Sequence, residues 1–488
     1  MYTKKKVLAL ITTILFLISS LNIVSLSTGK STNNQGLKDI IKNITQKENE
    51  EEHWALIIGI NEYKNSYDPE NTTIAGEYDA LNMYEALTSN GFCPPDHVKL
   101  LTGKNATKIN IIKGLIWLDR HEDHNDISLI HISTHGGRKI DLPPFDEEDF
   151  LDETLTTYKS FEPSILSIFT LIRDDLLNYF ISRLESKGIC LIIDSCYSGG
   201  YNDQPVSPIL WRSQIFNNIR RKIESFTGGL FREIENNRRV LLASTTEDTV
   251  SWSDVTTGGL FSTALTESLG KGFGDFNNDG MISAEEAFKY AQTCIKTKGK
   301  YSQTPVIYDN YTGELNITKA KYRMDFFENC EDNIKNWTTI DHSNQKTGNL
   351  WHISEKDYLS LSHSWLLQNE TLGTYYNSMN NSIVSPIIET HSDNITVLFN
   401  YKTMSEKSDK LYFGISSSNS SSVFVETKLN HSKNWSRCKI NLENLSDTGL
   451  NNSIKIRFRF KSDDKNPYNV KNETGYISID DIQVYSYI

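Results

Sequence analysis

Two apolar runs, residues 127–132 (ISLIHI) and 189–193 (ICLII), constrain the fold more than any other feature of the chain. Each is short, rich in β-branched side chains and nearly continuous in its apolarity, the pattern of a strand covered on both faces. Each leads directly into a reactive residue followed by glycine: Ser133-Thr134-His135-Gly136-Gly137 after the first, Asp194-Ser195-Cys196-Tyr197-Ser198-Gly199-Gly200 after the second. The C-terminal ends of buried strands are where an open α/β sheet presents its chemistry. A cysteine is a weak nucleophile near neutral pH until an imidazole or local dipoles favour its thiolate. His135 and Cys196 therefore read as a hydrolytic dyad, Cys196 the nucleophile and His135 the general acid/base. The neighbouring glycines let the backbone approach a substrate carbonyl, so the N–H groups of Gly136 and Cys196 are the expected oxyanion donors. Asp194 stands two residues before Cys196 on a strand, hence on the same side, where a carboxylate favours a basic substrate side chain.

The rest of the first 320 residues alternates between strand and helix patterns. Residues 53–60 (HWALIIGI) read as a first buried strand, with a helix over 80–89, a short strand over 98–101 and a helix capped by Thr107. After the His135 strand, residues 174–186 place Leu177, Phe180, Ile181 and Leu184 at helical spacing, and residues 239–244 (RVLLAS) form one more buried strand. The expected fold class is α/β, a mainly parallel sheet flanked by helices, followed by an all-β sandwich. The sandwich is expected over 321–488, where residues 395–401, 410–415, 454–460 and 476–485 alternate with period two. Residues 29–52 read as a linker between an N-terminal targeting segment, 1–28, and the 53–320 domain.

At the two glycine-flanked motifs the chain resembles a known family. HISTHGG (131–137) is similar to the H-Y-S-G-H-G of metacaspases, and DSCYSG (194–199) to their D-S-C-H-S-G. Metacaspases are caspase-fold cysteine peptidases of clan CD. The opening strand WALIIGIN (54–61), the helix start at Glu77-Tyr78-Asp79-Ala80, the acidic loop DEEDFLDE (146–153) and the helix start IRDDLL (172–177) are similar to further motifs of that family, with Phe150 where glycine is common. The resemblance implies that Asp194 lines an S1 pocket together with Asp79 and Ser133, around an Arg or Lys side chain. It also implies a cation site built from Asp149 or Asp152, Asp174, Asp175 and Asp203, although Asp174 and Asp175 also suit a helix N-terminus without any ion. The closing segment IDDIQV (479–484) and residues 385–388 resemble MAM-like jelly-roll modules.

Calcium is expected from a second motif. Residues 275–286 (DFNNDGMISAEE) carry every ligand type of an EF-hand-type loop. Asp275, Asn277 and Asp279 supply side-chain oxygens, Gly280 the turn, Met281 a carbonyl and Glu286 a bidentate carboxylate. The preceding helix, 260–269, ends in a glycine-rich turn, so a dockerin-like half-site is as compatible as a paired EF-hand.

The formal net charge of −12 argues against nucleic acid as partner, since phosphate neutralisation needs clustered Lys and Arg. Lys4-Lys5-Lys6 followed by the apolar residues 7–26 has the layout of a secretory signal or an N-terminal membrane anchor. Numerous Asn-x-Ser/Thr sequons after residue 316 agree with an extracellular, secreted or surface-anchored location. Six cysteines are too few for a disulfide scaffold, with the pairing of Cys330 and Cys438 left open. The expected activity is a calcium-dependent cysteine endopeptidase acting on protein or peptide substrates after Arg or Lys. Two alternatives stand beside it. A legumain-like asparaginyl endopeptidase is disfavoured by Asp194, and a surface protein with a vestigial peptidase domain would use the sandwich to bind a glycan or surface ligand.

Overall fold

The computed structural model describes residues 51–64, 75–89, 93–140, 151–160, 170–196, 238–245, 253–254, 258–296, 303–331, 336–343, 348–360, 362–418, 424–445, 452–464 and 475–488. The chain divides into two units. One holds residues 1–84, 91–241 and 308–313, and the other holds 85–90, 242–307 and 314–488.

In the first unit every residue of β1 (His53–Gly59) is buried, as its apolar run requires. Helix α1 (Gly76–Thr88) follows, then β2 (Val98–Thr102), α2 (Lys108–His121), β3 (Ile127–Ile140), β4 (Leu151–Leu155), β5 (Ile172–Arg173), α3 (Asp174–Ile181), β6 (Gly188–Cys196) and β7 (Arg239–Ala243). β1 pairs in parallel with β2 on one side and with β3 on the other, and β3 pairs in parallel with β6. Thr107 caps α2 through its side chain, which accepts from the Asn110 amide at 3.4 Å. The core gathers Leu56, Ile58, Ile130, Ile132, Leu191 and Ile193 from the sheet with Ile111, Leu115, Leu177 and Ile181 from the helices.

Two elements depart from the sequence pattern. β3 does not stop at its reactive histidine but runs on to Ile140, because β4 pairs antiparallel with its second half, Gly136 opposite Leu155. Helix α3 ends at Ile181 instead of near residue 186. Beyond it the chain is drawn onto Glu122, whose carboxylate accepts from the Glu185 amide at 2.9 Å and the Ser186 hydroxyl at 2.6 Å. Burial pushes Glu122 up to about 7.

The second unit opens with the short strands β8 (Ser253–Asp254) and β9 (Gly258–Gly259), helix α4 (Leu260–Lys271), β10 (Met281–Ser283) and α5 (Ala284–Lys296). β11 (Val306–Asp309), which leads into the 308–313 segment of the first unit, completes the strand order β2–β1–β3–β6–β7–β11 of the first sheet, and in the second unit β12 (Asn316–Lys319) pairs with β10. The remaining strands are β13 (Tyr322–Glu328), β14 (Thr338–Asp341), β15 (Trp351–Ser354), β16 (Ser364–Leu367), β17 (Asn380–Val384), β18 (Ile388–Glu389), β19 (Ile395–Met404), β20 (Lys410–Ser417), β21 (Val425–Lys428), β22 (Ser436–Leu442), β23 (Ser453–Lys461) and β24 (Tyr476–Tyr487). They form two antiparallel sheets, β15–β16–β24–β19–β22 with β13 on β24, and β14–β17–β23–β20–β21 with β18 on β23. Phe399, Phe413, Phe458, Ile456, Ile477 and Val484 from both sheets share one core, the arrangement expected of a sandwich.

Among the described residues no helix is long and apolar enough to cross a membrane, and residues 7–26 lie outside them. Cys330 and Cys438 are both thiols and are not joined to one another.

Candidate active site

The parallel register of β3 and β6 sets Ser133 opposite Asp194 and His135 opposite Cys196. Neighbouring strands lie about 4.8 Å apart, so four residues separated by some sixty positions in the chain meet as two adjacent rows. Asp79, on the first turn of α1, reaches the same place and accepts a 2.7 Å hydrogen bond from the Ser133 hydroxyl. Asp79, Ser133, Asp194 and His135 are all buried.

Asp79 is held there by a close approach of backbones. A Cβ on Gly59 would stand 2.0 Å from the Gly76 carbonyl oxygen, and one on Gly76 would stand 2.5 Å from the Ser133 carbonyl oxygen. Only glycine at both positions lets α1 start directly over the end of β1. Asn61 caps the helix, its side-chain oxygen accepting from the Glu77 amide at 2.5 Å.

Tyr63 is a residue that the motifs did not single out. Its hydroxyl accepts from the His135 backbone amide at 2.9 Å and lies 2.8 Å from the Thr134 hydroxyl. Since Thr134 donates to the Thr156 carbonyl at 2.7 Å, Tyr63 is the donor to Thr134, and the chain of bonds has one direction. The Tyr63 ring packs on the imidazole of His135 with centroids 5.2 Å apart. An aromatic just beyond a buried strand carries no motif signal, and only the folded loop brings it back to His135.

Gly136 continues β3 in the hairpin with β4. Asp152 takes the register position opposite Lys139 on β4, and Thr154 two residues on pairs with Arg173, which directly precedes Asp174 and Asp175 at the start of α3. The backbone thus brings the strand after the acidic loop beside the helix start. Asp149 and Asp203 lie outside the described residues, as do the side chains of Asp152, Asp174, Asp175 and Cys196.

A family profile described as caspase domain matches residues 52–316, more than half of the chain. The chain belongs to the caspase-domain family. Within it the chain is similar to metacaspase-1 of Candida glabrata, 29% identical over 202 residues that make up 37% of this chain and 49% of that protein. It is also similar to metacaspase-1 of Saccharomyces cerevisiae, 30% identical over 193 residues that make up 36% of this chain and 42% of that protein. The matched region thus spans about half the length of these relatives or less. Among solved structures, caspase-1 of Spodoptera frugiperda aligns at 15% identity and a TM-score of 0.34, covering 56% of this chain and 91% of that one. The match to the caspase domain includes β3, β6 and the 275–286 loop.

That loop belongs to the second unit and has the turn its motif requires. Gly280 sits at φ +86° and Asn278 at φ +60°. Asp275 accepts from the amides of Asp279 and Gly280 at 3.1 and 3.0 Å, and Asn277 accepts from Asp279 at 2.8 Å. Glu286 accepts from the amides of Phe276, Asn277 and Ser283 at 2.7, 3.2 and 3.1 Å. Burial pushes the carboxyls of Asp275 and Glu286 up, against these hydrogen bonds. The donor types and the turn fit a hard cation, while the carboxylates are engaged by their own loop's amides. Among the described residues no three His, Cys, Asp or Glu side chains are grouped as a metal cage.

Proposed function

We propose that this caspase-domain chain is a secreted or surface-anchored, calcium-dependent cysteine endopeptidase that cleaves after Arg or Lys. One observation carries the reading: the register pairs His135 with Cys196 and, one row back, Ser133 with Asp194, with Asp79 bonded to Ser133. In this reading the thiolate of Cys196 attacks the scissile carbonyl, and the oxyanion falls on the backbone amides of Gly136 and Cys196. His135 gives its proton to the departing amine as the carbon–nitrogen bond breaks, leaving a thioester. It then takes a proton from water as that water attacks the thioester and the carbon–sulfur bond breaks, releasing the acid and restoring the thiolate beside protonated His135.

The buried carboxylates of Asp79 and Asp194 support a basic P1 residue. A cation entering beside them gains an ion-pair partner in a site shielded from water, whereas the asparagine amide of the legumain-like alternative has no positive charge to pair. Calcium is proposed to bind at Asp275, Asn277, Asp279, the Met281 carbonyl and Glu286. A further cation is proposed at Asp149 or Asp152 with Asp174, Asp175 and Asp203.

The test is turnover of fluorogenic peptides ending in Arg, Lys, Asn or Asp by the full chain, with calcium and with chelator. Arg and Lys substrates should be cleaved only with calcium. Cys196→Ala should lower the rate by at least about 10³-fold, and Asp194→Asn should depress Arg and Lys turnover while leaving the melting temperature nearly unchanged. Preference for Asn or Asp substrates would defeat the pocket assignment, and full activity in Cys196→Ala would defeat the dyad.

A further inference from the structure

The chain is acidic overall, yet one face of its sandwich is strongly basic. Along β23 the buried residues Ile454, Ile456, Phe458 and Phe460 alternate with Lys455, Arg457, Arg459 and Lys461, which all lie on the opposite face. Neighbouring strands extend the stripe sideways: Lys410 of β20 pairs directly opposite Lys461, and Lys428 of β21 pairs opposite Tyr412, itself opposite Arg459. Like charges directly opposite one another oppose sheet formation, so this arrangement is costly unless an anion lies over it.

Among the described residues only part of that charge is neutralised. Glu426 is shared by two cations, taking 2.6 Å from Arg457 and 2.8 Å from Arg459. Those two guanidinium groups also cover the aromatic rings of the face, Arg457 over Phe424 at 4.0 Å and Arg459 over Tyr412 at 4.7 Å. The carboxylates acting on Lys410 are Asp409 and Asp463. Asp409 is buried and committed, accepting from the Tyr375 hydroxyl at 2.5 Å and the Asp463 amide at 2.9 Å. At the end of the stripe lies a small cavity of about 70 Å³, whose lining includes Ser405, Lys407, Lys410, Lys428 and His431 together with the one carboxylate, Asp409.

We propose that this face binds an acidic polysaccharide, with carboxylate or sulfate groups of the polymer seated on Lys410, Lys428 and Lys461 and one such group entering the cavity beside Lys407. Charge complementarity selects a polyanion. The cavity has room for one anionic substituent beside Lys407, Lys410 and Lys428, which suits a substituted sugar. A single-stranded nucleic acid would need open aromatic faces for its bases, and Tyr412 and Phe424 have theirs covered. The site lies on the sandwich and is independent of the peptidase reading.

The test is binding of the full-length Cys196→Ala protein, which cannot digest itself in the assay, to immobilised polygalacturonate, heparin, neutral dextran and single-stranded DNA over a salt series. Polygalacturonate or heparin should be retained well above dextran and DNA, the stronger of the two telling carboxylate from sulfate. Lys410→Gln/Lys428→Gln should weaken binding at least about tenfold and lower the salt slope by about one unit per lysine removed. Lys439→Gln, which changes a lysine of the other sheet, should bind as the parent does. No retention above dextran, equal retention of DNA, or unchanged binding in the double variant would each overturn the proposal.

Discussion

His135 depends on residues that have no chemistry of their own. Its backbone amide is tied to Tyr63, and through Tyr63 and Thr134 to the Thr156 carbonyl. Tyr63→Phe removes the hydroxyl and with it two links of that chain, those to the His135 amide and to Thr134, and leaves the ring contact. A lost hydrogen bond of this kind is worth about 1 kcal/mol, so kcat is expected to fall severalfold with KM nearly constant and the imidazole limb of the pH–rate profile displaced. A variant that melts lower but keeps its profile would make Tyr63 merely structural. Four residues earlier, His131 is fully buried, and burial pushes its imidazole down to about 3 from an ordinary 6.5. Above pH 6.5 both folded and unfolded chains carry it neutral. As pH falls towards 3, only the unfolded chain takes up the proton, so this contribution to stability is lost on acidification. The melting temperature should therefore decline between pH 6.5 and 4, and His131→Leu should decline less steeply over the same window. Parallel curves would show that His131 plays no part.

At the scale of elements, the 275–286 loop is tied to the sandwich of its own unit. Asn278 pairs with the Met324 backbone in both directions, donating at 3.1 Å and accepting at 3.0 Å. Lys439 of β22 lies over the Phe273 ring at 4.2 Å and bridges to Glu267 of α4 at 3.3 Å. Arg437 lies over Tyr290 of α5 at 4.7 Å. A cation that orders the loop should consequently stabilise the sandwich with it. Calorimetric titration of the full chain should give calcium binding that is abolished or weakened at least about tenfold in Glu286→Gln, and chelation should lower the melting transition of the parent but not of the variant. Activity that still needs calcium in Glu286→Gln would assign that requirement to the residues near Asp174. An absence of calcium heat would remove both sites.

At the scale of the whole molecule, the two units and the caspase-domain match are laid out differently along the chain. The match runs over 52–316, whereas residues 242–307 belong to the same unit as the sandwich. Between β6 and β7 the sequence carries Arg212, Arg220, Arg221, Lys222, Arg232 and Arg238, in a stretch that, up to residue 237, lies outside the described residues. An enzyme with an acidic S1 pocket would find its own preferred residues there. Arg239 is withdrawn from that set, since it is buried in β7 with its guanidinium donating to the Ile181 carbonyl at 3.2 Å. Calcium should therefore produce a new N-terminus after a basic residue between 212 and 238 in the parent and none in Cys196→Ala. The same terminus in both proteins would point to a contaminating protease.

The sequence alone was enough to place the strands that carry His135 and Cys196, because an apolar run covered on both sides has few other places to go. It also separated the α/β part from the period-two strands of the sandwich, since alternation of side chains is a local property of strands. The adjacency of rows 133–194 and 135–196 was decided by tertiary structure, through a register that no local pattern encodes. So were the continuation of β3 into the β4 hairpin, the early end of α3 under the pull of Glu122, and the return of Tyr63 to His135. The basic stripe of β23 was written in plain alternation, KIRFRFK. Its meaning required the neighbouring strands, because only pairing sets Lys410 against Lys461 and spends Glu426 on two arginines.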